Sequence, residues 1–473
     1  MNFQPVIGIE IHVELKTKSK MFSRGPVTFG QMPNTETVAY DLGYPGVMPV
    51  VNKQAVRYGI MLSEALHMNI SKTLYFDRKN YFYSDLPKGY QITQQDHPIG
   101  SEGYLEITTS EGTKKIAIER AHLEEDTAKQ LHLGDMTLVD YNRAGTPLIE
   151  IVTHPVIRNG EEASKYVEGI REIVTYLGIS DGKMEEGNLR CDVNISLMPF
   201  GSKVFGTKVE VKNLNSIANV KAALDYEIQR QSEILLSGGK IDQETRRYDE
   251  GLKQTILMRK KTSAIDYKYF REPNILPIDL TEEFIQDAIS HMEKLPSSYR
   301  QELSKIGLSS YEIEEVLRNK EFVLYFEKTL KEGAKNPKTL WNLLMVDILA
   351  YLNKNEITLN ELNFDNKKLA KLINLLEDKK INSKQGKQVL EEMLNTGLDP
   401  EEITAKLGLA QISDLSEIQK IVDEVIKNNQ QSVSDYKAGK DRALGFIVGQ
   451  VMKASHGKAN PSLAKELVLK ALA

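Results

Sequence analysis

The spacing of apolar residues changes once along this chain, near residue 295, and that change limits the fold more than any other feature. Before it, apolar residues recur at every second position in short runs broken by Gly and Pro: "VIGIEIHVEL", "GYLEITTS", "KKIAIER", "LRCDVNISL" and "GTKVEVKNL". Such alternation belongs to a strand with one buried face. Two segments interrupt it with helical spacing. In "EEASKYVEGIREIVTYLG", Ala163, Tyr166, Val167, Ile170, Val174 and Leu177 share a stripe that stops at Gly178. "SIANVKAALDYEIQRQSEILLSGG" opens on Ser216 as a cap and closes at Gly238-Gly239. Beyond "HMEKLPSSYRQEL" the pattern is helical, as in "SSYEIEEVLRN", "NPKTLWNLLMVDILAYLNKN" and "SKQGKQVLEEML". The expected fold is therefore α+β. A domain on a mostly antiparallel sheet spans 1–294, an all-α domain 295–406, and a small all-α tail 407–473. In the tail, Leu444, Ile447, Val448 and Val451 form one stripe, and Asn460 caps a last helix that begins at Pro461.

Bulk properties remove several classes. A chain of 473 residues exceeds one ordinary core. No apolar run approaches the ~20 residues of a membrane span. The start, "MNFQPVIGIE", lacks the pattern of a secretion leader, so a cytoplasmic protein is expected. The single cysteine, Cys191, excludes disulfides within the chain and zinc sites built on several thiolates. The net charge of −5 does not advertise a nucleic-acid binder. From Gln431 onward, however, seven Lys/Arg face three acids, so the tail is basic and the remainder more acidic. That tail is open to two readings, a footprint for phosphates or a solvated helical face.

The polar faces of the strands carry the chemistry. Glu10, His12 and Glu14 lie opposite Ile9, Ile11, Val13 and Leu15. Arg190, Asp192, Asn194 and Ser196 form a second such face, and Lys208, Glu210 and Lys212 a third. Together they make either a wet sheet surface or a metal–phosphate site. "ERAHLEEDTAK" sets His122 among Glu119, Glu124, Glu125 and Asp126. It reads as a helix start or exposed turn, or as a source of carboxylates for Mg²⁺. Neither a Walker-type phosphate loop nor G-x-G-x-x-G is present. "FDRKNYFYSDLPKGYQITQQD" mixes Arg78, Lys79 and Lys88 with Phe76, Tyr81, Phe82, Tyr83 and Tyr90. Aromatics beside cations suit nucleotide or RNA contact, whereas for Phe82 simple packing is expected. In "DYNRAGTPLIEIV", Arg143 precedes a strand as a phosphate clamp or a structural ion pair.

Seven of these stretches, in order along the chain, resemble one family: "VIGIEIHVELKTKSKMF", "FDRKNYFYSDLPKGYQI", "HLEEDTAK", "DYNRAGTPLIEIV", "MEEGNLRCDVNISL", "GTKVEVKNLNS" and "LGFIVGQVMKASHGKANP". It is the B subunit of bacterial aspartyl/glutamyl-tRNA(Asn/Gln) amidotransferases. The resemblance implies a cradle-shaped first domain, a helical domain and a tail domain. It implies a heterotrimer with an amidase A subunit that supplies ammonia from glutamine and a small C subunit. It also implies a misacylated tRNA(Gln) or tRNA(Asn) whose side-chain carboxylate is phosphorylated with ATP and Mg²⁺ and then amidated. Under it, Glu10, His12, Glu124, Glu125 and Asp192 surround the metal, with Mn²⁺ as an alternative ion because imidazole suits Mg²⁺ poorly. Lys79, with Lys88 and Arg143, holds phosphates, and Lys208, Glu210 and Lys212 line the ammonia path or fix the nucleotide. Glu125 accepts a proton from ammonium, and Arg442, Lys453 and Lys458 touch the tRNA backbone. Some members carry a cysteine zinc knob where this chain has Ser23, Val38 and Asp41, so no zinc is expected. The rival reading is a non-catalytic tRNA-binding scaffold.

Overall fold

The computed structural model describes residues 3–260, 266–409, 415–437, 440, 442–455, 459 and 461–472. It divides into two compact units, Met1–Pro296 and Ser297–Ala473. The first begins with β1 (Phe3–Glu14), α1 (Lys53–Ala65), β2 (Asn69–Ile70), β3 (Thr73–Leu74), β4 (Asp77–Asn80) and β5 (Tyr90–Thr93). Next come β6 (Gly100–Thr109), β7 (Gly112–Glu125), β8 (Lys129–Leu133), β9 (Met136–Asp140), β10 (Pro147–Thr153) and α2 (Gly160–Tyr176). The unit closes with β11 (Leu189–Pro199), β12 (Val209–Lys212), α3 (Ile217–Leu236), β13 (Glu244–Asp249), β14 (Gln254–Lys260), β15 (Phe270–Arg271), β16 (Ile278–Asp279) and α4 (Glu282–Ser290).

Nine strands make one sheet in the order β14-β13-β12-β11-β1-β10-β7-β6-β2. Every neighbouring pair is antiparallel except β12 with β13. The alternation in sequence becomes a two-faced surface. Ile7, Ile9, Ile11, Val193, Ile195, Ile149, Ile151 and Leu123 are all buried in one core with α1, α2 and α3. Each such side chain contributes ~2 kcal/mol by leaving water. Helix α1 approaches closely through Gly59, where a Cβ would lie 2.8 Å from Ile99 Cδ1. The caps fall where the sequence puts them: Ser216 Oγ accepts from Asn219 N at 3.1 Å, and Gly178 takes φ +68° just past α2. With helices over the apolar face, the opposite face is left to the polar residues.

Two expectations are corrected here. "ERAHLEEDTAK" is no helix start or exposed turn: through Glu125 it is the end of strand β7, and His122, Glu124, Glu125 and Asp126 are buried. Its neighbours on β10 and β5 supply partners that local sequence cannot reveal. Phe82 does not pack, being 95% exposed, whereas Phe76 fills the core.

The second unit is helical throughout its described length, as the change of spacing predicts. Its first helices pack Phe322, Val323, Phe326, Leu340, Leu344, Leu369, Ile373, Val389 and Met393 inward. One turn differs from the expected α-helix: Leu343–Ile348 is a π-helix between Pro337–Asn342 and Leu349–Asn355. Nearer the C-terminus a separate core joins Ile418, Val422, Ile447, Val451, Ala464 and Val468, with Leu444 and Val448 against it. Asn460 lies outside the described residues.

Candidate active site

Register builds the site. Residues opposite each other on neighbouring strands share a face. On the polar face, His12 stands opposite Arg190 of β11 on one side and Glu150 of β10 on the other, and Glu150 in turn stands opposite His122 of β7. A second row places Asp192 beside Glu10. A third links Glu14 through Leu148 to Glu124. Neighbouring strands thus bring two imidazoles and two carboxylates together. His12 Nε2 lies 3.6 Å from Glu124 Oε1 and 3.5 Å from Glu150 Oε2. His122 Nε2 lies 3.0 Å from Glu150 Oε2 and 3.6 Å from Glu124 Oε2. One ligand atom each from His12, Glu124 and Glu150 falls within 4.8 Å of the others.

The electrostatics follow from burial and proximity. Burial opposes the charged imidazoles, but the bond to Glu150 and the charges of Glu150 and Glu124 outweigh it, so His12 is raised. The same balance lifts His122 to about 9. Glu150 resists its own burial because His122 and His12 hold it well below the usual carboxylate range. Glu10, which accepts from Asn194 Nδ2 at 2.8 Å, is raised by burial and by Glu150 and Asp192. Burial and Asp126 push Glu14 up to about 7. His122 Nδ1 is buried with no hydrogen-bond partner among the described residues. His12, Glu124 and Glu150 are spaced so that they could hold a divalent ion.

The other candidates are distributed unevenly. Lys79 reaches toward this cluster from β4. Burial would lower its pKa, yet Glu124, Tyr269 and Glu150 raise it overall. Its Nζ also sits 4.9 Å above the centre of the Tyr267 ring. Lys208 stands close enough to Glu10 to counter the rise in its pKa. Lys212 Nζ binds Asp192 Oδ2 at 2.5 Å and Glu210 Oε1 at 3.1 Å, so Asp192 faces a cation rather than His12. Glu125 is not brought to Glu124. Alternation turns it to the opposite face, where it accepts from Lys88 Nζ at 2.6 Å and from the backbone N–H of Ile92 at 3.0 Å. Arg143 donates to the carbonyls of Thr127 and Ala128 at 3.0 Å and lies 3.5 Å from Asp126. Its fork braces a loop. Arg442 and Lys453 are exposed on the helix Arg442–Ala454 of the second unit, and Lys458 lies outside the described residues.

Sequence reasoning left out His122 and Glu150 as partners of His12. Glu150 was visible as a polar residue between Ile149 and Ile151. Only the register of β10 against β1 and β7 makes it central.

Next to Ser23, and at Asp41 itself, this chain has a buried ion pair. Lys20 Nζ meets Asp41 Oδ2 at 2.9 Å, and both side chains are almost wholly excluded from water. Asp41 also accepts from Ser23 Oγ at 2.7 Å and from Val38 N at 3.0 Å.

Known proteins share this chain's pattern over nearly its whole length. The family described as "GatB/GatE catalytic domain" matches residues 5–286, and the one described as "GatB domain" matches 324–472. The B subunits of the aspartyl/glutamyl-tRNA(Asn/Gln) amidotransferases of Geobacillus thermodenitrificans, Geobacillus kaustophilus and Bacillus licheniformis are each 50% identical over 471 residues, 99% of both chains. The chain belongs to this family. His12, Lys79, His122, Glu124 and Glu150 all fall inside the segment matched as the GatB/GatE catalytic domain, and Arg442 and Lys453 inside the GatB domain.

Proposed function

We propose that this chain is the subunit of a tRNA-dependent amidotransferase that phosphorylates the side-chain carboxylate of Glu on tRNA(Gln) or Asp on tRNA(Asn). The observation that carries the reading is the His12–Glu124–Glu150 cluster facing Lys79 on the polar side of the sheet. A carboxylate resists ammonia because it has no good leaving group. Transfer of the γ-phosphoryl of ATP to one carboxylate oxygen releases ADP and leaves an acyl phosphate. Ammonia adds at the carbonyl carbon, phosphate departs, and the amide remains after a proton is lost. Such chemistry rests on positioning and on neutralising charge.

The donor set fits a divalent cation, with His12, Glu124 and Glu150 as ligands and Glu10 and His122 beside them. Imidazole among the donors makes Mn²⁺ an alternative to Mg²⁺. Such an ion supplies charge neutralisation for phosphates. Lys79 neutralises the transferring phosphoryl group, and Lys208, Glu210 and Lys212 form the edge that orients the nucleotide or the ammonia path, with Asp192 anchoring Lys212. Glu125, which accepts from Lys88, is assigned the proton of the incoming ammonium. Residues 1–294 then carry catalysis, 295–406 form the helical domain, and 407–473 form a tail that contacts tRNA phosphates through Arg442, Lys453 and Lys458. These contacts position the RNA without reading bases. No zinc is assigned to the Lys20–Asp41 region. A non-catalytic scaffold would need no acidic and imidazole cluster beside a lysine. The test uses the assembled enzyme with ammonium as nitrogen donor. Lys79→Ala is expected to slow tRNA-dependent ADP release by at least about 100-fold while glutamine hydrolysis persists. Wild-type enzyme that releases no ADP in response to Glu-tRNA or Asp-tRNA would overturn the reading.

The amidase and C subunits belong to the same proposal, as does a cytoplasmic location. Among the described residues, no helix is long and apolar enough to cross a membrane. Support for a protein partner comes from the β8–β9 hairpin. Leu131 pairs with Leu138 and Leu133 with Met136, and all four are exposed on one face. An isolated hairpin is marginal in water, and an apolar face of this kind marks contact with another protein. Leu138→Lys is expected to weaken assembly by about tenfold or more in Kd, measured by titrating the partner subunits, with the melting temperature of the free chain unchanged.

A further inference from the structure

We propose that Arg78 and Glu272 form a clamp that positions Lys79 against the His12–Glu124–Glu150 cluster, a positioning role and not a catalytic one. The proposal rests on the function assigned above. Strand alternation splits β4. Lys79 turns toward the carboxylates of the cluster, and Arg78 turns to the other side, where it meets Glu272. Arg78 Nε donates to Glu272 Oε2 at 2.5 Å, and Arg78 Nη2 donates to Glu272 Oε1 at 3.1 Å. Glu272 is buried and also accepts from the backbone N–H of Asn274 at 2.8 Å. The guanidinium lies 4.0 Å from the centre of the Tyr90 ring and 5.6 Å from that of Phe270. A planar fork that pairs with both carboxylate oxygens while stacking on rings is a role for arginine that lysine does not fill.

Three features tie this pair to Lys79. First, Lys79 does not belong to the sheet that carries the cluster. His12, Glu124 and Glu150 stand on the nine-stranded sheet, whereas β4 lies in a separate sheet ordered β15-β4-β5. Its ladder with β15 is two residues long, Phe270 opposite Arg78 and Arg271 opposite Asp77. So short a pairing holds a strand weakly. Second, the ammonium is not fixed by bonds of its own. Among the described residues it forms no ion pair, and it lies 4.9 Å from the centre of the Tyr267 ring and 6.0 Å from that of Tyr81. Its place is therefore set by its backbone and by Tyr267. Third, residues 267–272 run as a strap along β4. Asn80 N donates to Tyr267 O at 2.9 Å, and Glu272 N donates to Phe76 O at 2.9 Å. The Arg78–Glu272 pair closes the strap between these two bonds. The clamp thus fixes both the strand that carries Lys79 and the ring beside its ammonium. A reacting group displaced by ~1 Å costs about 100-fold in rate, so the clamp acts on kcat.

Glu272→Gln keeps the shape and removes the charge. In the assembled enzyme with ammonium as donor, kcat for tRNA-dependent ADP release is expected to fall by about 30-fold. The KM values for ATP and aminoacyl-tRNA should stay within about twofold, and glutamine hydrolysis, measured separately, should persist. Arg78→Met combined with Glu272→Leu strands no buried charge, so the protein stays folded, and kcat is expected to remain low by a similar factor. A purely stabilising pair would instead give recovery in that double variant. Added to Lys79→Ala, Glu272→Gln should lower the residual rate by no more than about twofold, because the group it positions is already gone. Wild-type kcat in either clamp variant, or a full further loss on the Lys79→Ala background, overturns the clamp while leaving the proposed function standing. A wild type that releases no ADP in response to Glu-tRNA or Asp-tRNA overturns the function and the clamp together.

Discussion

Glu150→Gln is expected to lower ATP-dependent amidation by about 10³-fold while the protein stays folded. Glu150 is the hinge of the cluster, since both His12 and His122 point their Nε2 atoms at its Oε2. The amide keeps the shape but removes the charge. A bound ion would lose one carboxylate ligand, and in the metal-free protein both imidazoles lose the anion that favours their charged form. The folded protein carries a second signature of the same interaction. Because His122 is raised from an ordinary 6.5 to about 9, its pairing stabilises the metal-free fold fully below about pH 6.5, and that contribution is lost as pH rises through about 9. In Glu150→Gln this slope should flatten, and the His122 imidazole should titrate nearer its ordinary value by NMR. Amidation at wild-type rates in the variant, with an unchanged titration, would remove Glu150 from the site.

Lys20→Met should destabilise the first unit by ~3–5 kcal/mol, a fall of about 10 °C in melting temperature. The methionine fills similar volume but leaves the Asp41 carboxylate buried, with only the Ser23 hydroxyl and the Val38 N–H as donors. Space for relaxation is short. A Cβ on Gly25 would lie 2.6 Å from Asp41 Oδ2, and one on Gly145 would lie 3.2 Å from Asp41 Oδ1. Gly145 also takes φ +85°, a conformation that favours glycine. Replacing both partners, Lys20→Met with Asp41→Leu, should recover much of the loss, because no charge is then stranded. The protein as purified should carry no bound zinc by elemental analysis, and one equivalent of zinc lost in Asp41→Ala would mean that a metal, not the ion pair, holds these loops.

Much of the architecture was legible. Strand faces, the helices after 160 and 216, and the change to helix near 295 follow from spacing alone, because side-chain direction repeats every two residues in a strand and every 3.6 in a helix. Membership of the polar face was legible for Glu10, His12 and Glu14 on the same ground. Partnership was not. Glu124 and Glu125 are adjacent in sequence yet face opposite sides of the sheet, one toward His12 and the other toward Lys88. Phe82 looked like a packing residue because nothing local distinguishes it from Phe76.

Local periodicity thus determined which residues each strand and helix would bury, and with it the α+β class and the existence of a charged sheet surface. Tertiary structure alone decided which charges meet. The cluster of His12, His122, Glu124 and Glu150 depends on the order and register of β1, β10 and β7, strands far apart in the chain. Register is set by the sum of cross-strand contacts over the whole sheet, and a slip of one residue would turn each of these side chains into the core.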